Sequence, residues 1–209
     1  MRKHVPPEGR ASARPVHILR CITLRRILKD EIDNKAVKSY LKVLETERLV
    51  LRRLGPDDAA FILQLVNEPA WLRYIDDKGI RTVEDARHYI ENGPVAMYQR
   101  FGFGLYLIEL RESAEPIGIC GLIKRESLQE IDLGFALLSA FQGKGFAFEA
   151  AAAVMEYGRR AFAIPRLLAI TSQDNHVSGR LLEKLGFRFE RLAQLEANAA
   201  EVKLFATLT

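Results

Sequence analysis

Short apolar runs separated by turn-like stretches recur along most of this chain and predict β-strands. They lie at residues 47–52, 103–110, 117–123, 131–138, 166–171, 187–192 and 201–208. The three consecutive runs between residues 103 and 138 follow one another across brief turns, which indicates an antiparallel meander. The first run mixes charged with apolar residues, as a half-buried strand does.

The first helix is predicted after the turn at Gly55. Pro56 suits the first helical position, because the N–H group that proline lacks has no partner there in any helix. Asp57 and Asp58 follow it and face the positive end of the helix dipole. The expected buried stripe of this helix is formed by Ile62, Leu65 and Val66.

A second helix is predicted to begin at Thr82. Its hydroxyl can cap the helix, and Asp85 three positions later can close a capping box. Gly93 and Pro94 are expected to lie beyond its end. Two more helices are predicted at residues 149–162 and 176–185, the second stopped by Gly186.

The order of these elements predicts a mixed α+β domain with a strand-helix-strand unit in its second half. At 209 residues and 48% hydrophobic content, the chain can fill one core. We therefore expect one domain at residues 44–209, preceded by an extension at residues 1–43 that is partly disordered or helical.

Charge is distributed unevenly between these two parts. Residues 1–43 contain 11 Lys and Arg against 4 Asp and Glu, whereas residues 44–209 contain 20 against 23. A basic extension can contact nucleic acid or a membrane surface, and its Arg-rich, acid-poor character fits an organelle transit peptide or an upstream extension of a bacterial protein. Tyr40 is its only aromatic residue, so base stacking and a nucleic-acid partner are not favoured.

The two cysteines indicate a reducing compartment. Cys21 and Cys120 lie far apart and have no metal-ligand spacing, so neither a disulfide nor a metal site is predicted. Cys120 falls within a predicted strand and is expected to be core rather than a nucleophile. No apolar run approaches the roughly 18 residues of a membrane span. We therefore expect a cytoplasmic protein with no membrane partner.

A glycine-rich turn precedes the third predicted helix. Such a turn presents free main-chain N–H groups and the positive end of the helix dipole to an anion such as a diphosphate. Its residues are Gln142, Gly143, Lys144, Gly145, Phe146 and Ala147. It lacks the Gly-Lys-Ser/Thr ending of a nucleoside-triphosphate loop and the Gly-x-Gly-x-x-Gly pattern of a dinucleotide fold. Taken alone, two glycines before a helix more often form only a structural turn.

The turn matches the Gln/Arg-x-x-Gly-x-Gly/Ala motif of the GNAT superfamily of N-acetyltransferases. Three further segments resemble that superfamily in the expected order. Residues 46–52 look like the opening strand of the branch similar to the ribosomal-protein alanine acetyltransferases (RimJ/RimL-like), residues 132–138 like the fourth strand, and residues 175–187 like the Asn-x-x-Ser helix with its terminal Lys-x-Gly-Phe. The resemblance covers residues 44–209.

The resemblance implies a mostly antiparallel sheet, flanked by helices, whose fourth and fifth strands splay apart. The pantetheine arm of acetyl-CoA would enter between them and bond to main-chain groups around Leu137 and Leu138. Main-chain N–H groups from Gln142 to Ala147 would hold the diphosphate. Asn175 would bind the pantetheine or cap its helix, and both roles are compatible.

The resemblance also suggests catalytic groups. An N–H group near Phe135 would polarise the thioester carbonyl, and the Ser178 hydroxyl would assist departure of the thiolate. Many relatives carry a tyrosine one turn later, where this chain has Leu182. Asp132 or Glu130 is expected to accept the proton of the amine. His88 and His176 are further candidate bases, because histidine as a residue type can accept a proton near neutral pH, but isolated histidines are more often packing or surface residues.

These expectations together describe an acetyl-CoA-dependent N-acetyltransferase without a metal, which transfers the acetyl group directly in a ternary complex. The acceptor is an amine of a protein N-terminus or of a small molecule, and a homodimer is compatible. The acceptor pocket is expected around residues 71–77 and after Phe187, with Trp71 as a pocket wall or as core. Alternatives are a non-catalytic acyl-CoA-binding or regulatory module and, less favoured, a nucleic-acid-associated protein.

Overall fold

A computed structural model of the chain describes residues 42–195, 197 and 199–208. Most of the predicted extension, including Cys21, therefore lies outside the described residues. Its last two residues, Lys42 and Val43, open the first strand of the sheet. The division of the chain into residues 1–43 and 44–209 stays a prediction.

One sheet of eight strands organises the described residues. Its order is β1-β2-β3-β4-β5-β6-β8-β7, and all neighbours are antiparallel except β5 and β6, which are parallel. The strands are β1 Lys42–Glu45, β2 Leu49–Arg53, β3 Leu105–Leu110, β4 Pro116–Ile123, β5 Asp132–Leu137, β6 Leu168–Ser172, β7 Phe187–Ala193 and β8 Val202–Thr207. The predicted mixed, mostly antiparallel α+β fold is confirmed.

All seven predicted strands are present, and the predicted meander is formed by β3, β4 and β5. The predicted fourth and fifth strands are β5 and β6. The additional strand β1 was not predicted, although it pairs along β2. Its four residues are too few for their alternation to stand out in the sequence.

The helices lie between the strands as predicted, with two additions. They are α1 Ala59–Val66, α2 Pro69–Tyr74, α3 Val83–Ile90, α4 Ala96–Phe101, α5 Phe146–Phe162 and α6 His176–Lys184. The short helices α2 and α4 were not predicted. The capping box is confirmed, because Asp85 N–H donates to Thr82 Oγ1 over 3.1 Å and Asp85 Oδ2 accepts from Thr82 N–H over 2.9 Å.

The second α-helix ends before Gly93, as predicted, but the helical path of the chain does not stop there. α3 ends at Ile90, but the chain continues as a π-helical turn over Glu91–Val95 and then as α4. Pro94 lies inside that turn and has no N–H group to donate. The wider turn lets the N–H group of Ala96 reach the carbonyl of Glu91, so the helical path passes the proline without a break.

Helices cover the two faces of the sheet. On the α5 face, Leu51, Ile108 and Ile117 pack with Ala150 and Val154 of α5. On the opposite face, which we call the α1 face, apolar side chains of α1, α2 and α3 pack on β3 and β4. This group includes the stripe Ile62, Leu65 and Val66, together with Trp71, Leu107 and Ile119. The predicted stripe is thereby confirmed, and Trp71 is core.

A third apolar cluster covers the other half of the α1 face. Leu168 and Ile170 of β6 belong to it, whereas Ala169 between them packs on the α5 face. The two clusters of the α1 face are thus separate groups, one on β3 and β4 and one on β6 and β8. Among the described helices, none is long and apolar enough to cross a membrane.

Candidate active site

The sheet is open between β5 and β6. The two strands are paired only at Asp132 and Leu168, where Leu168 N–H donates to the carbonyl of Ile131 over 2.9 Å. Beyond that point β5 keeps its pairing with β4, and β6 keeps its pairing with β8. The two halves of the sheet therefore diverge toward the carboxyl ends of β5 and β6. This is the predicted splay.

Alternation along β5 decides which main-chain groups face this opening. Leu138 N–H donates to the carbonyl of Ile117 over 3.0 Å, so Leu138 and every second residue before it point toward β4. Phe135 and Leu137 point the other way, into the opening. The prediction for Phe135 and Leu137 fits this geometry, but the N–H group of Leu138 is occupied and not free for a pantetheine arm.

The glycine turn lies at the open end of β5. Gly143 and Gly145 have φ angles of +73° and +82°, a conformation that residues with a Cβ rarely adopt. Within the part of the chain that the structure describes, the N–H groups of residues 143–148 have no hydrogen-bond partner. Six free donors at the start of a 17-residue helix form an anion cradle.

The side chains of the turn have separate roles. Gln142 Nε2 donates to the carbonyl of Leu137 over 3.1 Å and so holds the turn against the end of β5. Lys144 is exposed, with its ammonium 5.3 Å from the ring centroid of Phe141. Its positive charge is therefore available beside the cradle.

Arg48 anchors the turn from outside, and this role was not predicted. Arg48 Nε donates to Glu149 Oε2 over 2.6 Å, and Arg48 Nη1 donates to the carbonyl of Lys144 over 3.1 Å. Arg48 Cζ also lies 4.5 Å from the ring centroid of Phe146. A Cβ added at Gly145 would lie 3.3 Å from Arg48 Nη2. This guanidinium thus adds positive charge at the cradle.

Glu149 receives three hydrogen bonds at this anchor. Thr46 Oγ1 donates to Glu149 Oε1 over 2.6 Å, and Arg48 N–H donates to the same oxygen over 2.9 Å. Burial acts to raise the pKa of Glu149, but the bonds from Thr46 and Arg48 outweigh it and lower the pKa below its ordinary value. Thr46 and Arg48 belong to the segment that resembles the opening strand, which was the one signal for this anchor in the sequence.

The start of α6 forms the opposite side of the opening. Asn175 Oδ1 accepts from Ser178 N–H over 3.1 Å, so Asn175 is the helix cap. Ser178 is half-buried on the first turn, and Leu182 one turn later is core. The predicted contacts of Asn175 and Ser178 with the cofactor stay predictions.

The two predicted carboxylates lie in different surroundings. Asp132 is fully buried at the closed end of the opening, with both oxygens 3.1 Å from Arg125 Nε. Burial raises the pKa of Asp132, and the charge and hydrogen bonds of Arg125 oppose that rise. Glu130 lies before β5 and pairs with Arg166 at 2.6 Å. The structure therefore brings Asp132 to the opening and leaves Glu130 outside it.

Both histidines weighed as bases are exposed on helices. His88 is exposed on α3, with Nε2 3.5 Å from Glu84 Oε1. His176 is exposed at the first position of α6. In the described residues, no group of three or more His, Cys, Asp or Glu is placed to hold a metal ion.

Contacts from the α2 region reach both sides of the opening. Glu68, which precedes α2, accepts hydrogen bonds from Ser139 N–H at 3.3 Å and from Ser139 Oγ. Arg73 near the end of α2 pairs with Asp174 at 3.1 Å. Ser139 follows β5 and Asp174 follows β6. α2 therefore spans the mouth of the opening, within the region predicted to build the acceptor pocket.

The polar groups that line the opening match those of an acyl-CoA. The free N–H groups of residues 143–148 suit a diphosphate, and the main chain of Phe135 and Leu137 suits the amides of a pantetheine arm. The hydroxyl of Thr171 on β6 is buried and has no hydrogen-bond partner among the described residues. Such a group is expected where a ligand completes the site.

Comparisons with known proteins identify the family of this chain. The family model for the acetyltransferase (GNAT) domain matches residues 48–188. The N-acetyltransferase YoaA of Bacillus subtilis is 31% identical over 149 residues, which cover 71% of this chain and 84% of that protein. The ribosomal protein uS5-alanine N-acetyltransferase of Escherichia coli is 35% identical over 96 residues, 45% of this chain and 48% of that protein.

Among solved structures, an acetyltransferase from Agrobacterium tumefaciens superposes with a TM-score of 0.68 at 26% identity, covering 79% of this chain and 94% of that one. The family match spans more than half of the chain and includes the glycine turn, β5, β6 and α6. The chain therefore belongs to the GNAT family and is an N-acetyltransferase whose acetyl donor is acetyl-CoA.

Proposed function

We propose that the enzyme transfers the acetyl group directly to the α-amino group of a protein or peptide, with both substrates bound together. The observation that carries direct transfer is the opening between β5 and β6, which connects the anion cradle with the α1 face. The observation that favours a protein acceptor is the similarity to the uS5-alanine N-acetyltransferase, which acts on a protein alanine.

The residues of the opening have distinct tasks in this proposal. The N–H groups of residues 143–148 bind the diphosphate. The N–H group of Phe135 donates a hydrogen bond to the thioester carbonyl oxygen and so polarises the carbonyl for attack. Ser178 on α6 assists the departing sulfur. Asp132 accepts a proton from the acceptor ammonium, directly or through water, because a raised pKa brings a buried carboxyl closer to neutral pH.

The acceptor is expected to enter from the α1 face. α5 and its glycine turn occupy the other face, where they serve the cofactor. On the α1 face, α2 spans the mouth of the opening through Glu68 and Arg73. A peptide that enters under α2 brings its terminal nitrogen to the level of Phe135, where the carbonyl is polarised.

The test measures CoA release by the full chain with three acceptor groups: peptides with a free N-terminus, the same peptides with a formylated N-terminus, and small amines. We expect release with the free peptides, with mass spectrometry placing the acetyl group on the α-nitrogen, and intersecting initial-rate lines for the two substrates. Release with small amines alone would overturn the protein acceptor. Parallel lines would overturn direct transfer, since they indicate an acetylated enzyme.

Cofactor binding is tested separately by thermal unfolding. Acetyl-CoA should raise the unfolding midpoint of the native chain by mass action. Gly145→Trp should abolish the rise, because its side chain fills the space beside the cradle and Arg48. Gly186→Trp is the matched control, since Gly186 also has a positive φ, of +92°, and no atom lies within 4 Å of the added Cβ. A rise retained in Gly145→Trp would place the cofactor elsewhere.

We also propose a cytoplasmic location and a homodimer. The thiol of Cys120 is free and fully buried in β4, which suits a reducing compartment. β7 is an outer strand of the sheet, and Phe189 and Leu192 on it are each at least 41% exposed, which suits contact with a second copy. Light scattering of the purified chain measures the oligomeric state.

A further inference from the structure

The hydroxyl of Thr171 on β6 is buried and has no partner among the residues that the structure describes. The residue is 7% exposed, and no hydrogen-bond partner for Oγ1 lies among the described residues. Burying an unpaired hydroxyl is unfavourable, and most buried hydroxyls in proteins are paired. A valine would fill the same space and suit a strand at least as well. We therefore expect a bound ligand to form a hydrogen bond with this hydroxyl.

The register of the sheet places Thr171 across the opening from Phe135. Asp132 on β5 is paired with Leu168 on β6, and the two strands run in parallel. Three residues further along each strand stand Phe135 and Thr171. Phe135 N–H faces the opening and is the donor proposed for the thioester carbonyl. Thr171 is thus at the level of the thioester rather than of the diphosphate.

The side chain of Thr171 shares a face with Ser178. Ala169, two residues earlier on β6, packs on the α5 face, so strand alternation puts Thr171 on that face as well. α6 packs on the same face through Leu182 and carries Ser178 on its first turn. The two hydroxyls therefore approach the opening from the same side, one from the strand and one from the helix.

We propose that the Thr171 hydroxyl donates a hydrogen bond to the sulfur of acetyl-CoA and to the thiolate that leaves. This inference rests on the proposed direct transfer. The amine nitrogen forms a bond to the carbonyl carbon, and the carbon–sulfur bond breaks with its electron pair on sulfur. Asp132 holds the first proton of the acceptor ammonium, and the second proton, released by the nitrogen after it bonds to carbon, passes through water to the thiolate and gives CoA. Thr171 stabilises the negative sulfur and keeps its own proton.

Thr171→Val tests this hydrogen bond without changing the shape of the side chain. The first readout is the thiol pKa of enzyme-bound CoA, which is measured from the absorbance of the thiolate as the pH is varied. A hydrogen bond to a charged acceptor favours the thiolate, so its loss should raise that pKa by about one unit. Thr171→Ser, which restores a hydroxyl, should return the pKa toward the native value.

The second readout compares CoA with desulfo-CoA, which lacks the sulfur. Thr171→Val should weaken CoA binding by about 5-fold, the loss of one net hydrogen bond, and leave desulfo-CoA binding unchanged. Turnover at saturating substrates should fall by about 10-fold or more. Without ligand, Thr171→Val should unfold at the same temperature as the native chain or higher, because it removes an unpaired buried hydroxyl.

Tyr106→Phe is the matched control. Tyr106 Oη is also buried without a partner among the described residues, but Tyr106 lies on β3, two strands away from β5. Removal of the Tyr106 hydroxyl should leave the thiol pKa of bound CoA unchanged. The inference is overturned if Thr171→Val has the native thiol pKa and the native ratio of CoA to desulfo-CoA affinity. In that case acetyl transfer by the native chain still stands. If the native chain binds no CoA, the cofactor site fails and this inference with it.

Discussion

At the scale of single residues, the site uses polar side chains whose partners come from distant parts of the chain. Arg48 and Glu149 are separated by 101 positions, yet they meet at the start of α5 and hold the glycine turn between them. Asp132 has its partner Arg125 only seven positions away, and it is fully buried where β5 pairs with β6. The chemistry of the active site therefore depends on which polar side chains have partners within the protein and which can bind a substrate.

Ser178→Ala should lower turnover while cofactor affinity hardly changes. If the hydroxyl assists the departing sulfur, its loss costs a transition-state interaction worth about 10-fold to 1000-fold in rate. The measurement is turnover at saturating acetyl-CoA, with chemistry shown to limit the rate. Ser178→Thr keeps a hydroxyl and should retain more activity, and Val177→Ala, exposed on the same turn, serves as the control for α6. Turnover of Ser178→Ala within a factor of about two of the native value would remove Ser178 from the mechanism.

At the scale of elements, the active site is assembled from the ends of strands and the beginnings of helices. β5 ends at the glycine turn that begins α5, and β6 ends at the loop that begins α6. α2 is attached to both of these connections through Glu68 and Arg73. The position of the turn relative to β2 is fixed by the anchor of Thr46, Arg48 and Glu149. Because this anchor contains the carboxylate of Glu149, its contribution to the stability of the fold should depend on pH.

Glu149→Gln tests that dependence. The pKa of Glu149 lies below the ordinary 4.5 in the folded chain, so the unfolded chain binds more protons in the window between the two values. The carboxylate therefore stabilises the fold above pH 4.5, and its contribution is lost as the pH falls through the folded pKa. We expect the difference in urea midpoint between the native chain and Glu149→Gln to be largest near neutral pH and to shrink on acidification.

A double-mutant cycle with Arg48→Gln identifies the partner. The coupling free energy between Arg48 and Glu149 should be measurable near neutral pH and should disappear in acid, where the carboxylate is protonated. A midpoint difference that stays constant across this range would show that the charge of Glu149 does not contribute to the anchor.

At the scale of the whole molecule, the sheet carries helices on both faces, and the two faces are held differently. On the α5 face, the helices are held to the sheet mainly by apolar packing. The α1 face also contains a buried ionic group, in which Arg52 of β2 donates to Asp58 at 2.7 and 2.8 Å and to Glu109 of β3 at 2.9 Å. This group joins two strands to the turn that begins α1.

Arg52→Met should destabilise the whole domain. Removal of the guanidinium leaves the buried carboxylate of Glu109 and the half-buried carboxylate of Asp58 without their partner, and breaking a buried ion pair typically costs about 3–5 kcal/mol of unfolding free energy. Urea denaturation measures the loss. Arg159→Met is the matched control, because Arg159 forms an exposed pair with Glu156 on α5 and should change the midpoint little. A loss below about 1 kcal/mol for Arg52→Met would show that the buried group contributes no more than a surface pair.

Local signals in the sequence were sufficient for most of the elements. The capping box of Thr82 and Asp85, the stripe of α1 and the meander depend on residues a few positions apart, so the sequence shows them directly. The glycine turn could be recognised for the same reason, because its motif lies within one short segment. Short elements with weak periodicity were missed, namely β1, α2, α4 and the π-helical turn around Pro94.

The sequence by itself determined the order of the elements, the fold class and the position of the cofactor motif, since each of these depends on neighbouring residues. The tertiary structure alone decided the direction of each main-chain group on β5, which turns the N–H group of Phe135 toward the opening and pairs that of Leu138 with β4. It also decided that Arg48 reaches Glu149 and that the hydroxyl of Thr171, opposite Phe135, is buried with no partner in the described part of the chain. Strand register, burial and long-range pairing depend on segments far apart in the chain, so no local pattern records them.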